Sequence, residues 1–162
     1  MKEIERKFLV DPEKFSVTPI KETKFAVEIQ QGYLSTDPCV RIRIVKTPKT
    51  HKFIKALLTI KGQGTIERDE FEYEIPEHDA IIMFEMAKHK LSKLRFYVKN
   101  ENAVWEVDSF MSPFGLMDLW LAEVELTSKH QMVTIPDWII KEVTEDTRYA
   151  NVNLAKNGKV SK

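Results

Sequence analysis

Residues 2–10 read Lys2-Glu3-Ile4-Glu5-Arg6-Lys7-Phe8-Leu9-Val10, and Asp11-Pro12 breaks the run. Successive side chains of an extended strand point to opposite faces. Glu3, Glu5 and Lys7 therefore share one face, with Ile4 and Arg6 on the other. The same sorting recurs along the chain. Arg41 and Arg43 oppose Ile42 and Ile44, and Lys61 ends a run whose other face carries Ile60. Arg68, Glu70, Glu72 and Glu74 oppose Phe71 and Tyr73. Lys93, Arg95 and Tyr97 oppose Leu94, Phe96 and Val98. Glu106 and Asp108 oppose Trp105 and Val107, and Glu123 and Glu125 oppose Ala122, Val124 and Leu126.

Period-two patterning predicts strands over 2–10, 24–34, 39–46, 52–62, 65–75, 93–99, 103–108 and 119–127. Ser35-Thr36-Asp37-Pro38 and Gly62-Gln63-Gly64 read as turns. Residues 77–92 switch to helical spacing, with Ala80, Ile81, Phe84 and Ala87 on one side. Pro136-Asp137 predicts a short helix over Trp138–Val143, and 147–156 a last helix ending near Gly158. Trp105, Trp120, Trp138 and the Met83/Phe84/Met86 cluster read as packing residues. With no repeat and no linker, the expectation is one domain over 1–162, mainly β with a few helices (α+β).

Lysine plus arginine and aspartate plus glutamate both number 25, so the formal charge is zero. Nucleic-acid binding usually needs a basic excess, so that class is excluded. Cys39 is the single cysteine, and the four histidines lack zinc-site spacing. The charged start shows no leader, and no stretch is long enough to cross a membrane. A soluble cytoplasmic protein is expected.

The charged faces admit two readings. In one they are the solvated side of an ordinary antiparallel sheet. In the other the sheet closes with the charges inside and the apolar faces turned outward under helices. The second needs a polyanion and cations in the lumen, because unpaired buried charge is costly. A triphosphate carries about four to five negative charges. Lys7, Arg41, Arg43, Lys61, Arg68, Lys93 and Arg95 suit phosphate oxygens. The paired glutamates supply hard oxygen ligands for Mg2+ or Mn2+. Arg6, on the face opposite Glu5, is expected to pair outside the lumen.

The ordered series Glu3-Ile4-Glu5-Arg6-Lys7, Arg41-Ile42-Arg43, Thr59-Ile60-Lys61, Glu70-Phe71-Glu72, Lys93-Leu94-Arg95, Asp108 and Glu123-Val124-Glu125 resembles the CYTH family, the triphosphate tunnel metalloenzymes. Gln31-Gly32-Tyr33-Leu34 and the segment from Glu142 to Tyr149 resemble its short bacterial branch. The resemblance implies an eight-stranded antiparallel closed tunnel with a charged lumen. It implies a metal-dependent inorganic triphosphatase that splits tripolyphosphate into pyrophosphate and phosphate. Metal positions would fall at Glu3, Glu5, Glu123 and Glu125, with Glu70, Glu72 and Asp108 as further acidic wall for Mg2+ or Mn2+, two ions with substrate. Substrate positions would be Lys7, Arg41, Arg43, Lys61, Lys93 and Arg95, with Arg148 closing one end. Tyr33 and Lys93 would be the proton-transfer candidates. The alternatives are a thiamine or nucleoside triphosphate substrate, adenylate cyclisation, or a non-catalytic polyphosphate-binding module. The family's habit also raises a homodimer.

Overall fold

A computed structural model describes residues 2–17, 23–62, 67–101, 103–128 and 130–160, apart from the side chains of 2, 3, 17, 23, 24, 67 and 68. The strands are β1 (Lys2–Val10), β2 (Thr23–Thr36), β3 (Cys39–Lys46), β4 (Phe53–Lys61), β5 (Glu67–Ile75), β6 (His89–Asn100), β7 (Ala103–Ser112), β8 (Trp120–Glu125) and β9 (Ile139–Glu142). Helices α1 (Pro12–Val17), α2 (Glu77–Met86) and α3 (Asn151–Asn157) and two 3-10 turns at 114–116 and 147–149 complete the described elements.

The strands form one antiparallel sheet in the order β5-β4-β3-β2-β6-β7-β8-β1-β9. The N-terminal end of β1 also pairs with β5, setting Glu3 opposite Arg68 and Ile4 opposite Glu67. Further along, β1 pairs with β8, which puts Glu5 opposite Glu125 and Lys7 opposite Glu123. The turn read at 62–64 lies partly outside the described residues.

Three local expectations differ from the structure. The stretch 138–143 is not helical. Ile139–Glu142 is a strand because β1 and its neighbours take its backbone groups: Asp11 N–H donates to the Trp138 carbonyl and Val143 N–H to that of Lys7. Tertiary pairing overrides weak local preference there. The helix expected over 77–92 stops at Met86, where Ala87 turns extended and β6 begins at His89 to pair with Tyr33. The Asp11-Pro12 break is itself a helix start. The Asp11 carboxylate accepts from the N–H groups of Glu13 and Lys14, and proline suits the first turn.

The apolar faces do turn outward. Phe8, Val10, Trp105, Val107, Ala122 and Val124 pack with Phe15 of α1 and with Trp138. Ile42, Ile44 and Ala56 pack beneath Ala80, Met83 and Phe84 of α2. Met86, by contrast, is exposed. The charged faces point the other way and become apolar at one end. There Leu91, Phe110 and Leu121 pack with Tyr33, and Leu154 and Ala155 of α3 close over them. This change of character along the inner face places the site. Among the described residues, no helix is long and apolar enough to cross a membrane.

Candidate active site

The inner face encloses a cavity of about 1390 Å³. Lys7, Arg41, Arg43, Lys61 and Arg95 line it beside Glu5, Glu70, Glu72, Glu123 and Glu125. One face of six strands thus converges on one space. Strand periodicity explains how, because each of these side chains shares parity with its neighbours on the same strand. Tyr33 and Glu106 line it too.

Two ion-pair networks occupy the walls. On the β6–β7–β8–β1 side, Arg95 donates from Nε and Nη2 to the two Asp108 oxygens at 2.6 and 2.7 Å. Its Nη2 also donates to Glu123 at 2.8 Å, and its Nη1 bonds Glu106. Lys93 Nζ donates to Asp108 Oδ2 at 2.5 Å, and Lys7 Nζ lies 2.9 Å from Glu123 Oε1. On the β3–β4–β5 side, Arg41 Nη2 donates to Thr59 Oγ1 at 3.1 Å, and that hydroxyl donates to Glu72 at 3.1 Å. Lys61 Nζ lies 2.7 Å from Glu70 Oε2.

These contacts set the protonation states. Burial alone would raise the Glu123 pKa, but Lys7, Lys93 and Arg95 outweigh it and hold the carboxyl well below the usual range. Burial is the main force lowering Lys93 to about 8, with Arg95 adding repulsion against the pull of Asp108. Burial also lowers Arg43, helped by Arg41 and Arg95. It pushes Tyr33 up to about 12, against the pull of Arg41. Tyr33 therefore stays protonated at neutral pH and suits donation; Lys93 has the more accessible proton.

Several expected site residues sit elsewhere than the pattern suggested. Asp108 is 1% exposed, absent from the cavity wall, and engaged by two cations. It is an internal counter-ion, not an open carboxylate of the acidic wall. Lys93 is fully buried beneath the same wall and does not line the cavity. The Arg148 guanidinium folds onto Asp146 at 2.7 Å on the surface. The side chains of Glu3 and Arg68 lie outside the described residues. Arg6 pairs outside the cavity, with Glu142 at 2.6 Å.

Other residues join the site without having been singled out as site residues. Glu106 bonds Arg95, and its parity with Asp108 was the available signal. Thr59 bridges Arg41 to Glu72 from its place two residues before Lys61. Asn151 of α3 reaches Glu123 at 3.4 Å, a long-range contact with no local sequence signal. Phe25, Val45, Ile54 and Tyr97 line one end of the cavity, with the Phe25 and Tyr97 rings 4.6 Å apart.

The donor set fits a hard divalent cation. Glu5 and Glu125 are directly opposed on β1 and β8 and both line the cavity, with Glu123 two residues away on the same face. Among the described residues, no three carboxylate, histidine or cysteine groups converge as a ready-made cage. Magnesium typically takes one or two carboxylates and completes its shell with water and substrate phosphates. An opposed glutamate pair beside a cationic wall suits that mode.

Comparison with known proteins follows this geometry. The CYTH domain family matches residues 1–158. An inorganic triphosphatase of Acetivibrio thermocellus is 39% identical over 162 residues, covering 96% of this chain and 94% of that protein. One from Nitrosomonas europaea is 35% identical over 164 residues, covering 96% and 97%. The crystal structure of an inorganic triphosphatase superposes with a TM-score of 0.61 at 31% identity, covering 94% of this chain and 93% of that one. The chain belongs to the CYTH family.

Proposed function

We propose that this protein is a metal-dependent inorganic triphosphatase that hydrolyses tripolyphosphate to pyrophosphate and phosphate. The observation that carries the reading is one cavity lined by six cationic side chains and an opposed glutamate pair. The relatives named for the same activity support it. In this reading the short β1–β5 pairing closes the eight strands β1–β8 into a tunnel, with β9 outside.

Arg41, Arg43, Lys7, Lys61 and Arg95 would bind the phosphate oxygens. The substrate would displace or share the carboxylate partners that Lys7, Arg41, Lys61 and Arg95 now hold. Glu5 and Glu125, with Glu123 beside them, would hold Mg2+ or Mn2+, which would supply charge neutralisation and lower the pKa of water. Glu70 and Glu72 keep Lys61 and Arg41 oriented toward the cavity. Water attacks a terminal phosphorus, the bridging P–O bond breaks, and pyrophosphate leaves. The arginine donors stay in place as charge shifts to the leaving oxygen. Tyr33 donates a hydrogen bond from the cavity wall. Lys93, lowered toward neutral pH, holds the exchangeable proton behind it.

The apolar end formed by Phe25, Val45, Ile54 and Tyr97 favours a second reading, an organic triphosphate whose ring rests there. A phosphate-release panel separates the two. It compares tripolyphosphate, pyrophosphate, ATP and thiamine triphosphate with magnesium, manganese and calcium. Tripolyphosphate is expected to give the highest kcat/KM, with no release in chelator. Equal release from ATP or thiamine triphosphate would overturn the inorganic assignment.

A further inference from the structure

Gln31 lies on the inner face of β2, between the cavity-lining residues Ile29 and Tyr33. Its cross-strand partners are Arg43 on β3 and Leu91 on β6. The side chain is 0% exposed, and neither Nε2 nor Oε1 has a hydrogen-bond partner among the described residues. Buried polar atoms in folded proteins are almost always paired, so this one requires an explanation. An orphaned buried amide carries an uncompensated desolvation cost, and an apolar side chain of similar size would avoid it.

The orphan is not isolated. The Nε atoms of Arg41 and Arg43 are also buried without a partner among the described residues. Arg43 is directly opposite Gln31, and Arg41 is opposite Tyr33, one inner-face step along. Directly opposed residues bring their Cβ atoms to about 4.5–5.5 Å, so Gln31 and Arg43 share a single patch of wall. Three unsatisfied nitrogen donors thus gather along β2 and β3, and they call for an acceptor-rich ligand. A phosphate oxygen accepts several such bonds and offers no hydrogen of its own. A carboxamide adds something the arginines lack, a carbonyl that accepts from water next to the same phosphate.

We propose that Gln31 is a substrate-binding residue, its Nε2 donating to a phosphate oxygen held also by Arg41 and Arg43. This rests on the triphosphatase reading above. Gln31 does not itself line the cavity, so the contact requires the side chains between it and the cavity to move aside when the phosphate binds. The stability lost by burying it unpaired is the cost of a donor set preorganised for that anion.

The test uses Gln31→Leu, with Gln31→Met as the unbranched alternative should the first not fold. Thermal unfolding without substrate is expected to be unchanged or shifted upward, because an unsatisfied polar group has gone. With tripolyphosphate and divalent metal, kcat/KM is expected to fall roughly ten- to hundredfold, as for a lost hydrogen bond to a charged group. A merely structural glutamine gives the reverse pattern, a lower Tm with kcat/KM intact, and that overturns the proposal. Unchanged kcat/KM at unchanged Tm overturns it equally. If the wild-type protein releases no phosphate from tripolyphosphate, the triphosphatase reading fails on its own. Calorimetric tripolyphosphate binding then decides Gln31: weaker binding in the variant sustains the contact, and equal affinity removes it.

Discussion

Asp108→Asn removes the anion on which two buried cations converge while keeping nearly the same shape. Asp108 accepts from Lys93 Nζ at 2.5 Å and from Arg95 Nε and Nη2 at 2.6 and 2.7 Å, and all three residues are 3% exposed or less. Removing one partner of a buried ion pair costs about 3–5 kcal/mol, because the remaining charge stays desolvated. Two features place this site at the lower end. Arg95 keeps Glu106 and Glu123 as partners. Lys93, already lowered to about 8, can release its proton and stop being a charge. A loss of about 3 kcal/mol, at roughly 2–4 °C per kcal/mol for a chain of this size, gives a Tm drop of roughly 6–12 °C. Thermal unfolding by circular dichroism at pH 7, with urea titration to confirm an unchanged m-value, measures it. Lys93→Met serves as the comparator. It leaves Asp108 with its two-point arginine contact and should cost clearly less. A Tm within about 2 °C of wild type for Asp108→Asn would refute the reasoning, as would a larger loss in Lys93→Met.

Two further outcomes follow from named contacts. In Gly32→Ala, the new Cβ would sit 2.8 Å from Ala87 Cβ and 2.9 Å from Phe84 Cδ2. The end of α2 must shift, at a cost of about 1–3 kcal/mol by overpacking, and an unchanged Tm would show that it yields freely. Lys93 gives a pH signature: its folded pKa of about 8 lies below the ordinary lysine value of 10.5, so between them the unfolded chain binds more protons. Its contribution to stability therefore rises with pH across that window and is most unfavourable below about 8. Urea titrations at pH 7 and pH 10 should show the wild type gaining on Lys93→Met, and a pH-independent difference would contradict the assignment.

The strand faces were legible because period two is a local property. Glu5 and Lys7, Arg41 and Arg43, and Glu123 and Glu125 each declare a shared side within three residues, and the cavity wall uses all of them. The inversion was legible only as one of two options, since alternation says which residues share a face and not which face meets solvent. What decides it physically is the covering of the apolar side. Phe15 of α1 and Ala80 of α2 lie on it, and α1 hides in sequence behind a proline that reads as a breaker. β9 was illegible for a related reason. Its backbone partners lie on and beside β1, more than a hundred residues away in sequence, and no local preference reports them.

Within the site, parity could not tell an open carboxylate from a spent one. Asp108 and Glu106 share a face of β7, yet one is sealed under Lys93 and Arg95 while the other lines the cavity. The difference is position along the inner face. Asp108 is opposite Leu121, where the inner face turns apolar, and Glu106 is opposite Glu123, where it is still charged. Along β6, Lys93 is level with Phe110, Arg95 with Asp108 and Tyr97 with Glu106. At the apolar end there is less water to stabilise separate ions, so opposite charges must pair with each other. Whether a charged residue is sealed in an ion pair or faces the cavity thus follows its distance from the α3-covered end, and Gln31, level with Leu91, lies near that boundary.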